Sequence, residues 1–129
     1  MSFSLDVAQW TKDAGEDMQA LHKAIIIELF TSVILDTPVL EGRLRGNWII
    51  SADAPENGTF DVIDPDGTKT TRKVEDFVSK LADLKNFNVF LSNNLPYAHR
   101  IEYDGWSNKA PAGMVRKNII RISNNLASA

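Results

Sequence analysis

Gly42-Arg43-Leu44-Arg45-Gly46-Asn47-Trp48-Ile49-Ile50-Ser51-Ala52 is the stretch where the chain leaves the 3.6-residue spacing of helices for the two-residue spacing of strands. Two glycines bracket a short connector, and Asn47–Ala52 then reads as a strand with Trp48 and Ile50 on one face. Upstream, from an N-cap at Ser4, Val7, Trp10, Ala14, Met18, Leu21, Ile25 and Leu29 recur at steps of three and four. That spacing predicts one long amphipathic helix running to Leu35, about 45 Å at about 1.5 Å per residue, and stopped by Asp36-Thr37-Pro38. Around Ile25–Ile27 and Leu29–Phe30 the apolar surface is wider than a single stripe, so this half is expected to be buried on more than one side.

Downstream, Pro55-Glu56-Asn57-Gly58 is a turn signal and Thr59–Ile63 reads as the return strand of a hairpin, closed by Asp64-Pro65-Asp66-Gly67. Between Arg72 and Lys85, Val74, Phe77, Val78, Leu81 and Leu84 predict a second helix, with Glu75 and Asp76 in its first turn. Phe87–Ser92 alternates as a third strand, with Phe87, Val89 and Leu91 on one face. After Ala110-Pro111-Ala112-Gly113, Val115, Ile119, Ile122 and Leu126 form the stripe of a terminal helix. This order predicts a single α+β domain over residues 1–129. Its small, largely antiparallel sheet of three to four strands packs against the long N-terminal helix, a middle helix and a C-terminal helix. The edges of so small a sheet are open to strand pairing between subunits.

Composition narrows the function classes. With 129 residues and 43% hydrophobic content the chain has enough apolar material for one core. It has no cysteine, which removes disulfides and thiolate metal sites and is compatible with a reducing compartment. The start of the chain lacks the pattern of a signal peptide, and no apolar run approaches the ~20 residues of a membrane helix, so a soluble protein with no membrane partner is expected. The formal net charge of −3 is uneven: residues 1–104 carry −7 and residues 105–129 carry +4. Lys109, Arg116, Lys117 and Arg121 are therefore the candidate contacts of a nucleic-acid-binding module, although cations near a helix C-terminus also suit its dipole.

Catalytic and metal chemistry find little to work with. His99 and Glu102 lie three apart with Asp104 beyond, but the chain has only two histidines, and His22 falls in the long helix. Polar contacts on a short helical turn are the simpler reading of His99, Arg100 and Glu102. There is no Gly-x-Ser-x-Gly elbow, and Gly42-x-x-x-Gly46 lacks the Lys-Ser/Thr of a phosphate-binding loop. Asp61, Asp64 and Asp66 could be a carboxylate cluster, yet with Pro65 and Gly67 among them solvated turn acids are the better reading. A hydrolase built on His99, Glu102 and the nearby carboxylates ranks last. No cofactor is expected.

The remaining signal lies between Asn93 and Arg116, where Tyr97, His99, Tyr103 and Trp106 sit among Gly and Pro residues without periodicity. Trp10 and Trp48 fall on apolar faces and read as core. Trp106, between Gly105 and Ser107, has no such face, which makes it a docking candidate. Two passages resemble a known family. Thr37-Pro38-Val39-Leu40-Glu41-Gly42-Arg43-Leu44-Arg45-Gly46-Asn47-Trp48 resembles the Pro-Val-x-x-Gly-x-Leu-Arg-x-x-Trp passage of the tail-completion (tail-to-head joining, or neck) proteins of long-tailed bacteriophages. Asn93-Asn94-Leu95-Pro96-Tyr97-Ala98 with Ile101-Glu102-Tyr103, and Ala110-Pro111-Ala112-Gly113-Met114-Val115-Arg116, are similar to that family's Asn-x-x-Pro-Tyr-Ala-x-x-x-Glu-Tyr and Ala-Pro-x-Gly-Met-Val passages. The family commonly has Asp-Thr where this chain has Leu40-Glu41.

The resemblance implies a non-enzymatic virion component, a homo-oligomeric, hexameric ring at the head-tail junction. Such a ring would touch the head-side connector and the tail tube or tail terminator protein and let DNA pass. The expected contact residues are Arg45, Tyr97, Arg100, Glu102, Tyr103, Trp106, Lys109 and Arg116.

Overall fold

The computed structural model of the chain describes residues 18–39, 42–81, 88–103 and 113–128. In order these form α1 (Met18–Asp36), α2 (Arg43–Gly46), β1 (Ile49–Ala52), α3 (Thr68–Lys80), β2 (Val89–Ser92), α4 (Ala98–Tyr103) and α5 (Val115–Ser128). The class is α+β with a small antiparallel sheet. The earlier part of the expected first helix, with Val7, Trp10 and Ala14, lies outside the described residues, as do Leu84, Phe87, Asp104, Trp106 and Lys109.

α1 ends where expected, and what ends it is a linked set of side chains. Thr37 Oγ1 donates to the Val33 carbonyl at 2.7 Å and accepts the Trp48 indole N–H at 2.8 Å. The Arg45 guanidinium donates to the carbonyls of Leu35 on α1, of Thr37 just past its end and of Pro65 across the chain, at 2.8, 2.9 and 2.6 Å. The last carbonyls of a helix have no partner inside it, and Arg45 supplies one with the favoured sign of charge. The helix meets the core through Ile26, Phe30, Val33 and Ile34, while Leu21, Ile25 and Leu29 form a half-buried flank. Its buried run Thr31–Ile34 points in every direction round the axis, so this end of α1 is enclosed on more than one side. α3 and α5 both pack on it.

The expected hairpin does not form. β1 pairs antiparallel with β2, Ile49 opposite Ser92 and Ala52 opposite Val89, and among the described residues the sheet has two strands, not three or four. Thr59–Ile63 is not a strand because a side chain takes the place of its partner. Asn47 Oδ1 accepts the Phe60 N–H at 2.7 Å, and Asn47 Nδ2 donates to the Phe60 carbonyl at 3.0 Å and to the Arg43 carbonyl at 2.7 Å. The amide of Asn47 thus presents to residue 60 the donor and acceptor that a neighbouring strand would. Asn94 Nδ2 holds the same segment further back, at the carbonyls of Glu56 and Gly58, 3.0 Å each. The result is a strap, residues 53–66, laid over α2.

The two glycines bracketing α2 follow from that strap. Gly42 has φ of +93°, and a Cβ there would lie 2.5 Å from the Pro65 nitrogen; at Gly46 a Cβ would lie 2.6 Å from the Val62 carbonyl oxygen. Between them Leu44 is buried, and Trp48 follows into the same core with Val74, Val78, Leu95, Ala98, Ile101 and Met114. Ile50, Val89 and Leu91 bring the sheet against this core.

α3 begins at Thr68, a full turn before the expected Arg72, which puts Glu75 and Asp76 in its middle rather than its first turn. The earlier start follows from Asp64. Far from being a solvated turn acid, Asp64 is buried, accepting from the Thr70 N–H at 2.8 Å, the Thr70 hydroxyl at 2.6 Å and the Lys69 N–H at 3.4 Å. Asp66 stays exposed and takes the Thr68 N–H at 3.0 Å. These carboxylates meet amides that a helix start leaves open, where negative charge is also favoured. Asp64→Ala should cost about 1–2 kcal/mol, as loss of a helix cap does, read as a lower urea midpoint; Asp64→Asn, which can still accept, should lose less.

α5 keeps part of its expected stripe, with Ile122 buried and Val115 half-buried against the core, but Ile119 is exposed and Asn118 is buried beside it; the Leu126 side chain lies outside the described residues. A polar seam joins it to α1. Arg121 Nη2 donates to Glu28 Oε1 and Ser32 Oγ, 2.9 Å each, and Asn118 Nδ2 donates to Asp36 Oδ2 at 2.9 Å. Glu28 is fully buried, and a buried carboxylate needs such a partner.

Candidate functional site

Among the described residues, most of those expected at contacts gather around the junction of α4 and α5, and the local sequence explains why. Asn93 Nδ2 donates to the Leu44 carbonyl at 2.8 Å, and Asn93 Oδ1 accepts the Leu95 N–H at 3.2 Å, which fixes the approach to α4 on α2. Leu95, Ala98 and Ile101 are buried, and Tyr97 is half-buried against the same cluster. One helical face of α4 is thereby anchored, and the opposite side carries the exposed His99, Arg100 and Tyr103.

Glu102 turns back into the protein. Its Oε1 accepts the N–H groups of Met114 and Val115 at 2.6 and 2.7 Å, and its Oε2 accepts the Arg116 N–H at 3.1 Å and Arg116 Nε at 2.9 Å. Arg116 also donates to the Glu102 carbonyl. Burial pushes the Glu102 carboxyl up, but the N–H groups of Val115, Met114 and Arg116 and the Arg116 side chain outweigh it and hold the group below its ordinary value. Glu102 is the N-terminal cap of α5, reached across the chain from α4. Above it the His99 and Tyr103 rings lie 4.7 Å apart with their planes tilted by 43°, and the Arg116 guanidinium sits 4.9 Å from the centre of the Tyr103 ring.

Of the expected contact residues, the structure brings Arg100, Glu102, Tyr103 and Arg116 onto one short stretch of α4 and the start of α5. Arg45 is elsewhere, tied to three carbonyls. The basic tail is largely turned inward: Arg116, Lys117 and Arg121 lie 2.9, 3.5 and 2.9 Å from Glu102, Asp36 and Glu28. Among the described residues no group of three or more His, Asp or Glu side chains is placed to hold a metal ion. No described helix is long and apolar enough to cross a membrane.

Sequence reasoning missed Asp64, Asn47 and the capping role of Glu102. For Asp64 a signal was present, since an acid shortly before Gly67-Thr68 is a helix-start pattern. A concavity of about 310 Å³ lies beside β1 between Trp48, Ile49, Ile50, Phe60, Val74 and Phe77, with Thr70 and Lys73 also lining it. Lys73 Nζ stands 5.9 Å from the centre of the Phe60 ring. Thr70, the hydroxyl in this lining, is already bonded to Asp64. Both surfaces set rings, cations and apolar side chains on a well-tied frame, the residue types that contact surfaces favour. Set against family models, curated proteins and solved structures, the chain matches none.

Proposed function

We propose that this protein is a non-enzymatic structural component of a long-tailed bacteriophage particle, a ring at the head-tail junction that joins the tail to the head connector and lets DNA pass. The observation that carries the reading is that its family-like passages are the parts that interlock. Gly42, Leu44, Arg45 and Trp48 bind α1, α2 and the strap to one another, and Glu102, Met114 and Arg116 bind α4 to α5. A resemblance placed on such positions speaks for a shared frame, and what the frame leaves outward is an aromatic and cationic surface rather than an assembled acid-base set. The reading includes a first helix beginning at Ser4 and a sheet enlarged beyond β1 and β2 by further strand pairing. The acidic balance of the chain suits a ring around DNA, since a lumen that held phosphates tightly would hinder passage.

Size-exclusion chromatography with light scattering tests it. Mixed with assembled tails and with head connectors, the protein should move into the large species; remaining monomeric beside both would refute the reading. The nucleic-acid reading gains nothing from cations that already face Glu102, Asp36 and Glu28.

A further inference from the structure

We infer that the groove between β1 and α3 binds an extended apolar segment of another protein, with an acidic residue beside Lys73, as a strand added to the open edge of β1. This holds whether or not the chain forms a ring.

The groove is cut along a strand edge. Its lining includes Trp48, Ile49 and Ile50, three consecutive residues. Successive side chains of a strand point to opposite faces, so a cavity that touches all three looks onto the edge of β1 rather than onto either face. The opposite wall is α3, through Thr70, Lys73, Val74 and Phe77, whose i, i+3, i+4 and i+7 spacing makes one helical face. Phe60 of the strap completes the lining.

The parity of the ladder fixes which backbone groups this edge presents. The Asp53 N–H donates to the Asn88 carbonyl at 2.7 Å, one pair beyond Ala52 and Val89. In an antiparallel ladder, pairs that exchange hydrogen bonds alternate with pairs that do not. Asp53 with Asn88, Ser51 with Phe90 and Ile49 with Ser92 are therefore the bonded pairs. The N–H and C=O groups of Ile50 and Ala52 point away from β2, and among the described residues nothing pairs with them.

These groups choose the occupant. A volume of about 310 Å³ is at the low end of ligand pockets. A compact ligand would fill it, but an extended backbone alone meets two donors and two acceptors spaced two residues apart along a strand. Alternate side chains of such a segment would turn toward Val74 and Phe77. Lys73 is exposed, stands 5.9 Å from the centre of the Phe60 ring and forms no ion pair among the described residues, so a carboxylate on the segment complements it. A second copy offering its own sheet edge would bring along the helices packed on that sheet, which a cleft between α3 and Phe60 leaves little room for.

The test follows backbone amides of the full chain, labelled with nitrogen-15, by NMR. In the free chain the Ile50 and Ala52 amides should exchange with solvent faster than that of Ser51, which lies in the ladder. The probes are octapeptides with Val, Ile, Leu or Phe at alternate positions and Thr, Ser or Asp between them. Members of this set should shift the Ile50 and Ala52 resonances and slow their exchange. The tightest binder, N-methylated on the alternate amides that face β1, should bind at least about tenfold more weakly through loss of its ladder bonds, and N-methylation in the other register should not. Lys73→Glu, with its fold checked by thermal melting, should turn the preference from Asp-bearing peptides to their Lys-bearing counterparts. No shift at Ile50 and Ala52 from any peptide at its solubility limit would overturn the inference. Equal binding in both N-methylated registers, the mark of a mere apolar filler, or an unchanged charge preference in Lys73→Glu would do the same. So would Ile50 and Ala52 amides already slow to exchange without peptide: protection that grows with protein concentration would make the occupant a second copy, and protection that does not would place it within the chain.

Discussion

Glu102→Ala should lower the stability of the fold by about 3 kcal/mol, because it leaves buried amide donors at the start of α5 without an acceptor and Arg116 without its carboxylate. Urea unfolding at neutral pH would measure it. Glu102→Gln keeps the shape and one acceptor oxygen, so it should lose roughly half as much, the charge-assisted share of the bonds. The acid dependence adds a second reading of the same contact. The folded carboxyl is held below its ordinary value of 4.5, so folding favours the ionised form. Its contribution is complete above the unfolded value and disappears as pH falls through the lower folded one. Wild-type stability should therefore drop on acidification below about pH 4.5, while Glu102→Gln loses that component and falls less steeply. Parallel acid profiles for the two proteins would show that Glu102 does not carry the cap.

Gly42→Ala should be about as damaging, costing about 3 kcal/mol. A left-handed backbone costs an L side chain about 1–2 kcal/mol, and at φ of +93° Gly42 sits there. The new Cβ would also lie 2.5 to 2.9 Å from backbone atoms of Asp64 and Pro65, which cannot rotate away as a side chain would. Overpacking of that kind adds about 1–3 kcal/mol. Gly58 gives the control, since its φ is +103° but nothing stands within 4 Å of the position of its Cβ. Gly58→Ala should show the dihedral cost alone, so Gly42→Ala should melt roughly 5–10 °C lower than Gly58→Ala at the scale expected for a domain of this size. Equal melting temperatures would mean that the strap does not constrain Gly42.

Much of this frame could be read from residue spacing, and the rest could not for a physical reason. Periodicity marks a side chain that repeats a direction, so the end of α1 at Asp36, the burial of Trp48 and the pairing-competent run at Val89–Ser92 were visible. It says nothing of a side chain that replaces a backbone partner far along the chain. Asn47 does this for Phe60, and so a strand was expected where the structure has a strap. Glu102 caps a helix whose first residues lie a dozen positions later, and Arg45 closes a helix that ended before it. The α5 stripe holds at Val115 and Ile122 but not at Ile119, because Asn118 takes the buried place there and joins Arg121 in polar contacts with α1. Among the contact residues, the charges of Glu102 and Arg116 were seen but not that each already faced the other.

The polar seam between α1 and α5 removes a degree of freedom. A helix seated on a greasy surface can roll by a ridge or slide by a turn at modest loss, since one aliphatic contact replaces another. Rolling α5 would take Arg121 away from Glu28, which is fully buried, and stranding a buried carboxylate is far dearer than exchanging methyl contacts. The azimuth of α5 is thus keyed by charge, and with it the direction in which Ile119 and Ile120 face. In the ring proposed above a few degrees of tilt at each contact would accumulate around the circumference, so a helix that cannot turn on its axis would give every subunit the same angle to the next.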